Sequence, residues 1–343
     1  VLKSLAVAVT GMTRETREHV IPGTETSVEG EEVRGYDFSE DFDLESFLEA
    51  SATTGFQATH LAEAVDLVRQ MQAEDCTIFL TFTSNIVSSG LRESITYLAR
   101  EDLVDVMITT SGSITEDVIK TFHPFRMGQW DADEAQLREA GINRLGNIYV
   151  ESDAYVRLEE YLNTEFFPEF FADETVRTPT EVARALGEDI DHADSFLTHA
   201  AHNDIPVYCP ALIDAEIGDF MFYYRQEENS EIGIETLEDW DGLIHDAIEA
   251  EKTGIICVGA GVPKHQAIMS NLFRGGCEYA VYISTGMEGD GSLSGAPPEE
   301  AVSWGKIKHD GETNHTQVEA EATLVWPLIV EAGFRQFDGN DTA

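Results

Sequence analysis

Lys306, in Ala301-Val-Ser-Trp-Gly-Lys306, is the residue best suited to covalent chemistry. The other lysines are Lys3, Lys120, Lys252, Lys264 and Lys308, set against 65 acidic residues. A lysine amine desolvated enough to be neutral can attack an imine and hold a substrate covalently. His265 stands where a helix begins after an apolar run, a general-base candidate and equally a surface or capping histidine. Trp304 could wall a cationic ligand through its ring face or pack in the core. Glu116 and Asp117 open a helix, where dipole stabilisation is a sufficient explanation. Asp214 and Asp219 suit turns or caps, and Glu299, Glu300 and Lys308 suit solvent.

These residues belong to, or lie close to, small, polar, glycine-bearing loops. The loops are Thr83–Gly90, Thr110–Asp117, Gly259–His265 and Ser284–Gly295, each following an apolar, strand-like run. The runs are 76–82, 104–109, 254–258 and 279–283, with a further strand at 205–208. Helical patterns cover 47–72 (broken at Thr53-Thr-Gly55), 88–101, 114–121, 236–252 and 265–275, and 150–200 is helical and acidic. Strand–helix alternation argues for an α/β fold with a parallel sheet covered on both faces. In such sheets ligands sit at the carboxyl ends of the strands. Several loops of this kind on one edge suit a phosphate-bearing ligand, whose oxygens need backbone N–H groups and helix N-termini. No GxGxxG fingerprint is present; Gly259-Ala-Gly-Val262 is a fragment of one. Residues 1–33 read as an extended arm, and 34–337 as a single α/β domain.

With 42% hydrophobic residues and a net charge of −44, the chain reads as a folded protein with an acidic surface. Such surfaces suit molar salt, where screening makes self-repulsion tolerable. They repel nucleic acid and anionic membranes. No apolar run reaches the length of a membrane span. Residues 1–10 faintly resemble a short signal peptide, but the run is too short, and Met12 is an equally good start. Cys76, Cys209, Cys257 and Cys277 form no CxxC pair and read as buried thiols of a reducing cytoplasm.

Taken together, Thr83-Ser-Asn-Ile-Val-Ser-Ser-Gly-Leu-Arg-Glu93, Thr109-Thr-Ser-Gly-Ser-Ile-Thr-Glu-Asp117, Gly141-Ile-Asn-Arg-Leu-Gly-Asn147 and Glu299-Glu-Ala-Val-Ser-Trp-Gly-Lys-Ile307 closely resemble deoxyhypusine synthases. Arg34-Gly-Tyr-Asp-Phe38 and Thr53-Thr-Gly-Phe-Gln-Ala-Thr59 match as well. The likeness spans about residues 34 to 335. It implies a Rossmann-like α/β fold, a homotetramer with sites at subunit interfaces, and an NAD-dependent transferase. Its reaction would move the aminobutyl group of spermidine to one lysine of translation initiation factor 5A, through an imine on an enzyme lysine.

The resemblance makes Lys306 the imine-forming lysine and His265 the proton acceptor. Ser84, Asn85 and Ser88, with Thr110, Ser111 and Gly112, would line the NAD site. Asp214, Asp219, Gly261, Thr285, Gly286, Asp290, Glu321 and Ala322 would complete it. Glu116, Gly291, Glu300 and Trp304 would hold the donor amine beside His265. Three positions depart from the family pattern. Leu293 replaces an aspartate that contacts a donor amine, Met269 an asparagine, and Thr115 the first of two paired glutamates. Agmatine is therefore an alternative donor. A homospermidine-forming paralogue acting on a free amine, or a silent subunit of a heterotetramer, are the alternative functions.

The acidic surface carries its own expectation. Between about 0.1 M and 1 M salt the Debye length contracts from about 10 to about 3 Å. The unfolding midpoint, followed by circular dichroism in increasing KCl, should climb steeply across that range. A midpoint indifferent to salt would contradict the reading.

Overall fold

The computed structural model describes residues 29–39, 41–173, 175–309 and 314–337. Most of the expected arm, 1–28, including the signal-like run and Met12, lies outside the described residues. Regular structure is anchored where the family likeness begins: the Arg34 N–H donates to Thr53 O (3.0 Å), and Thr53 Oγ1 donates to Arg34 O (3.0 Å).

Six strands form the central sheet: β1 (Thr77–Phe82), β2 (Val106–Ile108), β3 (Val207–Tyr208), β4 (Thr253–Val258), β5 (Tyr279–Ile283) and β6 (His315–Val318). All neighbours run parallel, in the order β3-β2-β1-β4-β5-β6. This is the strand order of a doubly wound sheet, whose crevice lies where the winding reverses, between β1 and β4. The central strands are predominantly apolar because both faces of the sheet are buried. Ile78, Leu80, Phe82, Ile256, Val258, Val281 and Ile283 point into one core. Phe79, Ile255, Cys257, Ala280 and Tyr282 point into the other.

On the first face lie Gln57–Ala73, α1 (Ser84–Ser88), Arg92–Arg100 and α2 (Ser111–Phe122), with Pro179–Ile190, Phe196–His202 and Ala322–Ile329. On the second lie Leu237–Glu249, α3 (Gly261–Leu272) and α4 (Pro298–Ser303). Among the described residues no helix is long and apolar enough to cross a membrane. All four cysteines are buried and free, as expected, and burial pushes the thiols of Cys76 and Cys209 up to about 12.

Some boundaries differ from the sequence reading. The helix expected over 88–101 is two helices, because the Ser89 side chain bonds the backbone at both Ile86 and Leu91 and so interrupts the turn. The helix expected from 265 starts at Gly261, with Pro263 tolerated in its first turn. Strand β6 was not expected, since His315 and Gln317 break its apolar pattern at the sheet edge. Nor was the small antiparallel sheet of Arg126–Met127, Ile142–Leu145 and Ile148–Glu151.

Asp117, read as a possible helix-dipole residue, is instead a buried tie. It is 0% exposed, and its carboxylate accepts from Arg92 Nε (2.6 Å), Ser195 Oγ (2.6 Å) and the Leu197 N–H (3.2 Å). Three helices of the first face are joined at this one group. Asp117→Ala strands the Arg92 charge and should cost about 3–5 kcal/mol. The double change Arg92→Met/Asp117→Leu should recover most of that loss. Urea unfolding in concentrated KCl measures both; equal losses in the two variants would refute the tie.

Candidate active site

Most of the residues expected to bind cofactor fall in loops at the carboxyl edge of the sheet. Thr83–Ser88 follows β1, Thr109–Gly112 follows β2, and Cys209–Asp214 follows β3. Gly259–Gly261 follows β4, Ser284–Gly286 follows β5, and Glu319–Ala322 follows β6. The loops touch. A Cβ on Gly112 would sit 2.9 Å from Ser84 Cβ, and one on Gly259, at φ +92°, would sit 2.8 Å from Thr83 Oγ1. Thr109 Oγ1 donates to Phe82 O (2.9 Å) and Ser111 Oγ to Leu212 O (2.5 Å), which draws the β3 loop in.

The helices α1, α2 and α3 all begin at this edge, and none has a side-chain cap. Their first N–H groups therefore remain open to an anionic ligand. Glycine at the contact points lets the backbone lie against the Ser84 and Thr83 side chains, where a side chain of its own would collide with them. Three of the expected cofactor residues, Asp219, Glu321 and Asp290, take other forms. Asp219 lines a cavity of about 700 Å³ beside Leu212, Met221 and Arg225. Glu321 caps its own helix by accepting from the Thr323 N–H (3.1 Å). Asp290 and Gly291 lie exposed in a turn closed by Ser292 N–H donating to Asp290 Oδ1 (2.7 Å).

The residues expected to hold the donor divide between two places. Glu116 is on the first face, 7% exposed, and accepts from Ser88 Oγ (2.5 Å). Burial is the main force pushing its carboxyl up to about 7; the Ser88 bond and the nearby Lys120 charge oppose it, and Glu216 adds to it. Thr115, beside it, is fully buried, with its hydroxyl unpartnered among the described residues. His265, Glu300, Trp304 and Lys306 gather instead on the second face.

Lys306 itself is not on the carboxyl edge, where the sequence placed it with His265. Its carbonyl accepts from the Cys277 N–H (3.0 Å), ahead of the amino end of β5. The reason is topological: α4 belongs to a crossover that returns the chain to the amino edge before β6 begins. The Lys306 ammonium nevertheless lies near enough for its charge to act on His265. Burial first, then the Lys306 charge, lower the imidazole pKa, so His265 is neutral and able to accept a proton. Burial likewise lowers the Lys306 pKa, against the pull of Glu300. Lys306 is 9% exposed, with its Nζ 5.3 Å from the centroid of the Trp304 ring.

The other described lysines are all engaged. Lys120 donates to the carbonyls of Val87, Ser88 and Ser89, Lys252 pairs with Glu74, and Lys308 with Glu278. Lys264, to which the sequence reading gave no role, is buried and donates to Leu293 O and Ala296 O. Among the described residues Lys306 alone has an ammonium with no hydrogen bond or ion pair. The scarcity of lysine that singled out Lys306 applied equally to Lys120 and Lys264. Leu293 packs against the second core, and Met269 stands one helical turn beyond His265.

The raised Glu116 pKa has a stability consequence. The neutral carboxyl stabilises the fold below the ordinary glutamate value of 4.5, and that contribution is lost as pH rises to about 7. The difference in melting temperature, Glu116→Gln minus wild type, should therefore grow in favour of the variant between those values and level off above. A flat difference would show that Glu116 ionises as an ordinary surface acid.

Comparison with known proteins matches this geometry to one family. The deoxyhypusine synthase family model matches residues 46–333. A "Probable deoxyhypusine synthase" of Halobacterium salinarum is 66% identical over 321 residues, covering 93% of this chain and 97% of that protein. The deoxyhypusine synthase of Caenorhabditis elegans is 39% identical, covering 90% and 91% respectively. A crystal structure of an Entamoeba histolytica chain assigned to the same enzyme superposes with a TM-score of 0.66 at 25% identity, covering 90% of this chain and 99% of that one. With family motifs on the loops after β1 and β2 and on the crossover that leads to β6, and with the family model and these relatives covering most of its length, the chain belongs to the deoxyhypusine synthase family.

Proposed function

We propose that this chain transfers the aminobutyl group of spermidine to a lysine of the archaeal homologue of translation initiation factor 5A, with Lys306 as covalent carrier. The observation that carries this reading is the state of the Lys306 ammonium: buried, without a hydrogen bond or ion pair among the described residues, lowered in pKa by burial, and near enough for its charge to lower that of His265. NAD, when bound, supplies the hydride acceptor that converts the donor C–N bond to an imine and later returns the hydride to the product. The uncapped N-termini of α1, α2 and α3, with Gly112 and Gly259 at the contact points, fit its pyrophosphate.

The residues of the chain perform the remaining work. Trp304 and Glu300 offer a ring face and a carboxylate to a cationic donor. His265 accepts the proton released from the donor nitrogen as the carbon bonded to it gives up hydride and the C=N bond forms. Neutral Lys306 then attacks the imine carbon, and the remaining diamine leaves as the Lys306 imine forms. The acceptor lysine attacks the same carbon, freeing Lys306. Glu116 lies on the opposite face from Lys306, and Trp304 is 65% exposed. Both features support a homotetramer in which a second copy completes each site. The surface charge of −44 supports a halophilic, cytoplasmic setting.

Agmatine is the second reading of the donor. It is favoured by Leu293, which packs against the second core, and by Met269, which stands one helical turn beyond His265. The test incubates the protein in concentrated KCl with NAD, labelled spermidine or labelled agmatine, and purified factor 5A. Label should reach the factor only with NAD present, and Lys306→Arg should reduce it by at least about a thousandfold. The donor that labels the factor decides between the two amines. Label on a free amine would instead support the homospermidine-type paralogue, and no label with either donor a silent subunit.

A further inference from the structure

We propose that Lys264 is a positioning residue, whose buried ammonium ties the segment between β5 and α4 to α3 and so sets where Glu300, Trp304 and Lys306 stand. Lys264 is 2% exposed. Its Nζ donates to Leu293 O (3.1 Å) and Ala296 O (2.8 Å) and lies 4.2 Å from the centroid of the Tyr282 ring. A compact ammonium with three rotatable donors suits two carbonyls and a ring face converging on one point, whereas the planar fork of arginine does not.

The tied segment is closed on itself. A Cβ at Gly286 would collide with Ser294 O, and one at Gly295 with Met287 O, so its two limbs touch backbone to backbone. Ser284 Oγ adds a bond to Ser294 O (3.2 Å). Lys264 holds the returning limb at its last residue before Pro297 and Pro298, whose fixed φ passes that position directly into α4. Lys264 also immediately precedes His265. One side chain therefore connects the helix bearing the base to the segment leading to the carrier lysine.

This inference rests on the proposed transfer reaction for its catalytic consequence, but its structural part can be tested without activity. Hydrogen exchange of the 284–297 amides in Lys264→Met should accelerate at least about tenfold, with β1 and β4 unchanged. With NAD and saturating donor, the ratio of borohydride-trapped Lys306 adduct to NADH formed should fall at least about tenfold, because saturation offsets weakened donor holding by Glu300 and Trp304 and His265 stays on α3, whereas capture needs the Lys306 amine placed at the imine carbon. A general loss of folded enzyme would lower adduct and NADH together and leave the ratio unchanged. Unaltered exchange in 284–297 overturns the tie. A loosened segment with an unaltered ratio overturns the positioning role. If Lys264→Met does not fold, Lys264→Gln, which keeps a donor for one carbonyl, is judged by the same two measurements. Wild-type protein producing neither NADH nor adduct would count against the transfer reaction, while the exchange measurement still decides the tie.

Discussion

The parallel pairing of β1 with β4 is the constraint on which the rest of the structure depends. Six residue pairs, from Thr77 with Thr253 to Phe82 with Val258, hold two mostly apolar, buried strands together at the middle of the sheet. The chain winds outwards from this pair in both directions. The loops after β1 and β4 therefore leave on opposite faces and open a crevice that no crossover covers. Thr83 meets Gly259 there, and Ser84 meets Gly112. The same reversal distributes chemistry between the faces: Ser88, Glu116 and Lys120 on one, His265, Glu300 and Lys306 on the other.

Electrostatics gives the lysines their meaning. In a chain of net charge −44, an ammonium on the surface is rarely far from a carboxylate, and Lys252 and Lys308 have taken that course. Lys120 and Lys264 show another use, in which a buried point charge gathers neutral carbonyl oxygens and fixes a loop, one on each face of the sheet. Lys306 does neither. Desolvation disfavours its charged form, Glu300 partly restores it, and the Trp304 ring lies beside it. A primary amine held in that balance retains a usable lone pair.

Much of the fold was legible before any coordinates. The apolar runs at 76–82, 254–258 and 279–283 became β1, β4 and β5 within a residue, because a strand buried on both faces must be apolar throughout. The glycine-bearing loops fell at the ligand-binding edge for the same reason. Elements whose pattern is polar or short were not legible. β6 alternates His315 and Gln317 with Thr316 and Val318 at an edge, and the strands around Tyr149 belong to a small half-exposed sheet. Ser89 was read inside a helix because its interruption depends on hydrogen bonds of its own side chain rather than on hydrophobic periodicity.

The division between sequence and structure is clearest at the site. By itself the sequence determined the family, the strand–helix alternation, the ligand-binding edge and the singling out of Lys306, since each is a matter of local residue type and spacing. Tertiary structure decided that Lys306, held at the amino edge, comes near enough to act electrostatically on His265, that Glu116 lies across the sheet from both, and that Asp117 is a tie between helices. It also decided that Lys264 holds a loop while the Lys306 ammonium makes no hydrogen bond or ion pair among the described residues. These facts depend on which segments pack together and what each pair excludes from water, and such contacts join residues too far apart in the chain for any local pattern to connect.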